Sequence, residues 1–126
     1  MVLNTTTTKN LIDDILKELK GVGGIESSAV VTRDGLLVAS DTSSDVDAET
    51  FAAMSASMAG AAETAITEVN GGTAIRIIVE AANSKLITIG AGPKVLLVAL
   101  TKQQVPLGLI LIKLGDAARK ISSVVT

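Results

Sequence analysis

Residues 47–70 constrain the fold more than any other stretch. More than half of them are Ala, Ser, Gly or Thr, and they run through Asn70 into Gly71-Gly72 and then directly into the β-branched run 73–80. Wound at 3.6 residues per turn, Phe51, Met54, Met58, Ala62, Ile66 and Val69 fall in one broad stripe with Ser55 inside it, and this stripe is expected to face a core. The opposite side carries Ala53, Ser57, Gly60 and Thr64. Charge on the segment is confined to Asp47, Glu49, Glu63 and Glu68, too sparse for a wholly solvated face. A second surface is therefore expected to cover it. That cover comes either from the rest of one large domain or, as favoured here, from another copy of the chain, and a bulky charge at Gly60 is expected to break such a contact.

With 126 residues, 48% of them hydrophobic, the chain fits one domain at 7–126 behind a short Thr-rich N-terminus at 1–6 that is expected to be mobile. Phe51 is the single aromatic residue, so Leu, Ile and Val must fill the core. A mean hydropathy of +0.52 implies apolar surface left over for partners. The net charge of −2, with no cluster of Lys or Arg, provides no footprint for phosphate backbones, and nucleic acid is not expected as a partner. Cysteine is absent and the start lacks the pattern of a secretory signal, so a cytoplasmic location is expected. Residues 51–69 and 95–114 look superficially membrane-like. The first contains Glu63 and the second Lys102, Gln103, Gln104 and Pro106, so neither reaches the ~20 continuous apolar residues of a spanning helix.

Hydrophobic spacing supplies the element order. Leu11, Ile12, Ile15, Leu16 and Leu19 mark an amphipathic helix from about Thr8, capped by Thr7 or Thr8 and ending near Lys20 before Gly21, Gly23 and Gly24. Two Val- and Leu-rich runs, 28–32 and 36–40, flank Arg33-Asp34-Gly35 as a β-hairpin. Ser43, Ser44, Asp45 and Asp47 offer caps to the long helix, with Asp47 favoured and Asp45 the alternative. Strands at roughly 73–81, 85–91 and 95–101 are joined by short turns as an antiparallel meander; Ile75, Ile77 and Val79 share one face of the first, Arg76, Ile78 and Glu80 the other. Leu107, Ile110, Leu111, Leu114, Ala118, Ile121 and Val125 repeat at helical spacing and close the domain.

Chemistry is sparse. His, Cys, Tyr and Trp are all absent, so the usual nucleophile and base pairings cannot be built, and the chain is read as noncatalytic. Asp13-Asp14 and Asp45/Asp47 sit where helix faces and caps ordinarily place carboxylates, and they lack the ligand series of a calcium loop. Gly90-Ala91-Gly92-Pro93-Lys94 has neither the spacing nor the following helix of a phosphate loop, and Gly21-Val22-Gly23-Gly24 follows a helix rather than a strand. No cofactor or metal is expected. Among Arg33, Arg76 and Arg119, Arg76 draws attention because it lies on the strand beside the proposed contact surface.

The element order, the hairpin run Asp34-Gly35-Leu36-Leu37-Val38-Ala39-Ser40 and Pro106-Leu107-Gly108-Leu109-Ile110 entering the last helix resemble the roadblock / dynein light chain family over about residues 11–124. Profilin-like sensory and longin domains share part of that layout, and the initial helix favours roadblock. The resemblance implies an α+β fold of order α-β-β-α-β-β-β-α. In it a five-stranded antiparallel sheet carries the long central helix on one face and the two terminal helices on the other. It further implies a homodimer that pairs the long helices, 47–69, and joins the strands at 73–80. Ala53, Ser57, Gly60, Ala61, Thr64, Thr73, Ile75, Arg76, Ile78 and Glu80 are then the candidate residues for contact with a second copy or a partner. A Ras-like small GTPase docking on the paired helices is the implied partner. With no Arg on that helix, any stimulation would reorder the GTPase's own switch residues. A structural scaffold subunit of a dynein-like or membrane-associated assembly is the alternative, and a small-molecule sensor domain the third.

Overall fold

The computed structural model describes residues 5–43 and 45–125. Met1 to Asn4 of the expected mobile N-terminus, Ser44 of the capping group, and Thr126 lie outside them, while Thr5 and Thr6 already belong to the first helix. In chain order the elements are α1 (Thr5–Lys20), β1 (Ile25–Thr32), β2 (Leu37–Asp41), α2 (Ala48–Glu68), β3 (Arg76–Glu80), β4 (Ser84–Ala91), β5 (Val95–Lys102) and α3 (Leu107–Val124).

Local chemistry accounts for the boundaries. Gly35, at φ +98°, closes the β1–β2 turn, where Thr32 N donates to Leu36 O at 2.8 Å and Gly35 N to Thr32 O at 2.9 Å. A Cβ there would meet the Cα of Ala53 at 3.4 Å, an ordinary contact, so it is the positive φ that calls for glycine at this turn beside α2. Asp47 caps α2 as expected, accepting from Thr50 N at 3.2 Å and from Thr50 Oγ1 at 3.0 Å, and these bonds lower its carboxyl pKa from the ordinary 3.8. The alternative cap, Asp45, instead accepts from Ser43 Oγ at 2.5 Å, which lowers its pKa as well. Asn70, at φ +56°, and Gly72, at φ +89°, turn the chain out of α2.

A carboxylate whose pKa is lowered by folding adds stability above its unfolded pKa and loses it as pH falls through the folded value. Asp47→Ala should therefore lower the melting temperature at pH 7, while Asp47→Asn should keep most of the cap. The deficit of Asp47→Ala should shrink as pH falls below the ordinary carboxylate value of 3.8, where the unfolded chain takes up the proton first, and should be smallest once the folded carboxyl, with its lower pKa, is protonated as well.

The strands form one antiparallel sheet in the order β2-β1-β5-β4-β3. The centre goes to β1 and β5, whose side chains are buried on both faces, and the edges to the less apolar β2 and β3. On one face α1 and α3 bury Ile12, Leu16, Leu19, Ile110, Leu114 and Ile121 against Val30, Ile87 and Leu97. Full burial of each such side chain is worth roughly 1.5–3 kcal/mol, so this layer carries most of the stability. The other face packs Ala52, Ala56 and Ala59 of α2 on Ala29, Val31, Leu96 and Val98. The single long helix on one face and the terminal pair on the other match the expected layers.

Several expectations fail. Helix α1 opens at Thr5, so Thr7 and Thr8 lie within it instead of capping it, and β1 opens at Ile25 rather than Ser28. The stripe Phe51, Met54, Met58, Ala62, Ile66 and Val69 does not face the core: α2 buries Ala52, Ser55, Ala56 and Ala59, leaving Met54 62% and Val69 71% exposed, with Ile66 exposed and Phe51, Met58 and Ala62 half-buried. The buried face is rotated by about a quarter turn from the larger side chains. Small residues let the helix approach the sheet closely, and the branched side chains of β1 and β5 fill the space instead. Strand β3 also begins at Arg76 rather than Thr73, because its pairing with β4 runs only from Arg76↔Ile89 to Glu80↔Lys85.

Candidate surface for self-association and partner docking

Strand β3 is an edge: β4 pairs one side, and no described strand pairs the other. On the face shared with α2, the helix rests on β1, β2 and β5. The outer part of that face stays open, with Ile77 and Leu86 half-buried, Val79 exposed and Ile75 71% exposed. A groove of about 410 Å³ runs between Ala62 and Ile66 of α2 and Ile75 and Ile77. An apolar, uncovered edge of this kind invites pairing with another chain.

The two flanks of α2 have different neighbours. Ala53 and Ala56 lie against Gly35 at the β1–β2 turn, whereas Ala62 and Ile66 lie toward β3. Phe51, Met54, Met58, Ala61 and Ala65 recur at steps of three and four along the outer side on the β3 flank, the spacing of a helix-pairing seam. Of the residues named from the sequence, Ser57, Ala61 and Thr64 are exposed and turned away from the sheet. Ala53 and Gly60 lie toward the β1–β2 turn instead, so the position most sensitive to a second α2 moves from Gly60 to Ala61. Thr73 and Ile75 are exposed beside the groove, while Arg76, Ile78 and Glu80 lie on the α1/α3 face of β3, with Ile78 packed at the margin of that core. Sequence reasoning named Met54, Met58 and Val69 only as core residues and left out Ala65. Met54, Met58 and Val69 carried the signal as members of the stripe of larger side chains, and Ala65 extends it at the same three-and-four spacing.

A Cβ at Gly60 would meet nothing within 4 Å. Since glycine in an exposed helix interior costs roughly 0.5–1 kcal/mol relative to alanine, Gly60→Ala should raise stability by about that amount in chemical denaturation.

The three arginines separate clearly. Arg33 bridges to Glu63 at 2.9 Å and donates to Gly92 O at 3.0 Å, tying the hairpin to α2 and the β4–β5 turn. Arg119 pairs with Asp116 on its own helix. Arg76 is exposed and forms no ion pair with a described residue. Asp45 and Asp47 serve the turn and cap, and no group of three or more acidic side chains suited to a metal occurs among the described residues. No described helix is long and apolar enough to cross a membrane.

The Roadblock/LC7 domain profile matches residues 11–101. The chain belongs to the Roadblock/LC7 family. An uncharacterized protein of Methanocaldococcus jannaschii, MJ1340, is 41% identical over 113 residues, covering 90% of this chain and 98% of that one. The gliding protein MglB of Thermus thermophilus superposes with a TM-score of 0.82 at 17% identity, over 93% of this chain and 90% of that one. A further structure, described as MglB with tetrameric arrangement, gives 0.84 at 19% identity, over 93% and 89%. At these identities the structural matches show that this Roadblock/LC7 chain has the MglB fold.

Proposed function

We propose that this Roadblock/LC7 protein is a noncatalytic, cytoplasmic homodimer that regulates or anchors a Ras-like small GTPase on its paired α2 helices. The observation that carries the reading is the continuous uncovered surface from the α2 seam, through the groove at Ile66 and Ile75, to the open edge of β3. A two-fold contact would cover both copies of that surface at once. The tetrameric arrangement of the MglB structure supports self-association of this fold in a structural relative. Ser57, Thr64, Ala53 and Gly60 would remain on the outer side of the pair as a nearly uncharged platform. The GTPase assignment itself rests on family membership.

No arginine lies on α2, so stimulation would act through the GTPase's own switch segments rather than an inserted guanidinium. The test is GTP hydrolysis by a Ras-like GTPase from the same genome, with and without the protein, alongside direct binding. A changed rate identifies a regulator, and binding at an unchanged rate identifies an adaptor. Absence of both contradicts the proposal and selects the scaffold subunit that never meets a GTPase.

A further inference from the structure

We propose that two β3 strands pair antiparallel in one register, with the two-fold axis through Ile78, so that Arg76 faces the partner's Glu80 and Glu80 the partner's Arg76. This rests on the homodimer proposed above and specifies how its sheets join.

The geometry leaves few choices. Setting both α2 helices on one side of a shared sheet requires a two-fold axis perpendicular to it, and such an axis places every residue opposite one on the same face. Each register is therefore named by the residue on the axis. Strand β3 runs Arg76–Glu80 with Ile78 at its midpoint, so the axis at Ile78 alone pairs all five residues with their counterparts. An axis at Ile77 sets Arg76 against the partner's Ile78, and one at Val79 sets Glu80 against it. Axes at Arg76 or Glu80 bring like charges face to face, which is destabilising. Only Ile78 joins opposite charges, and it does so twice.

Both charges are available within their own chain. Arg76 stands opposite Ile89 of β4, and Glu80 opposite Lys85, whose buried ammonium donates to the Gln103 carbonyl. Neither Arg76 nor Glu80 forms an ion pair with a described residue. On the α2 face the same register sets Ile77 against the partner's Val79, covering two partly exposed apolar side chains.

Charge reversal tests this. Arg76→Glu and Glu80→Arg, each alone, replace two attractive oppositions by two repulsive ones and should weaken self-association about tenfold or more at low salt, less so at 1 M salt. Mixed one to one, the two variants should form a heterodimer about as tight as the wild-type dimer, seen by native mass spectrometry. The doubly reversed chain should also dimerise like wild type. Since both side chains are exposed, circular dichroism should show every variant folded. Single variants that dimerise like wild type, or a mixture that restores nothing, overturn the register while leaving the homodimer standing. A monomeric wild type overturns the homodimer itself.

Discussion

Ala61→Arg should convert the dimer into a folded monomer. Ala61 lies between Met58 and Ala65 on the seam, is exposed in the single chain, and faces outward on the flank nearest the open strand. In a two-fold contact every such residue occurs twice, so two guanidinium groups would enter a space that the small side chains leave for helix approach, with no carboxylate on the seam before Glu68 to receive them. The monomer should not suffer. Arginine is a good helix former, and an exposed substitution away from special features changes stability by no more than about 0.5 kcal/mol. Sedimentation at micromolar concentration should show the halved mass, with the circular dichroism spectrum retained. Gly60→Arg, on the opposite flank beside the β1–β2 turn, should leave the dimer in place. If Gly60→Arg and not Ala61→Arg splits it, the flanks have been assigned the wrong way round.

Ala52→Leu should cost about 1–3 kcal/mol of stability, because a fully buried alanine against Val31 and Val98 leaves no room for three more carbons without lifting α2 from the sheet. Met54→Ser, two residues on, should leave the folded monomer within about 0.5 kcal/mol of wild type, since Met54 is mostly solvated, but should weaken self-association. Urea unfolding separates the two when both are compared with wild type at one protein concentration, because dimerisation makes stability concentration-dependent. Had the larger side chains of α2 faced the sheet, the order would reverse and Met54→Ser would be the costly change.

That reversal marks where the sequence was legible. Element order, the Asp34-Gly35 turn, the Asp47 cap and the antiparallel meander all follow from local rules of spacing and backbone freedom, and the structure contains each of them. The face of α2 did not follow, because in a helix this rich in alanine the side-chain sizes that mark a core are decided by the partner surface. Val31, Leu96 and Val98 supply the bulk from below, so the helix contributes Ala52, Ser55, Ala56 and Ala59 rather than its methionines. The start of β3 was misplaced for a related reason. Thr73 and Ile75 have strand-forming side chains, but pairing with β4 ends at Arg76↔Ile89. At the candidate site, Ala61, Ile75 and Arg76 were legible as exposed residues, while the seam through Met54, Met58 and Ala65 required knowing which way the helix faces.

Whether a second copy covers the open edge of β3 is decided by hydrogen exchange of the β3 amides, 76–80, followed over a series of protein concentrations. The outward-pointing amides should exchange freely when dilute and become protected as concentration rises through the dimer's dissociation constant. Exchange at these positions that is equally fast at every concentration, up to hundreds of micromolar, would rule out the shared sheet.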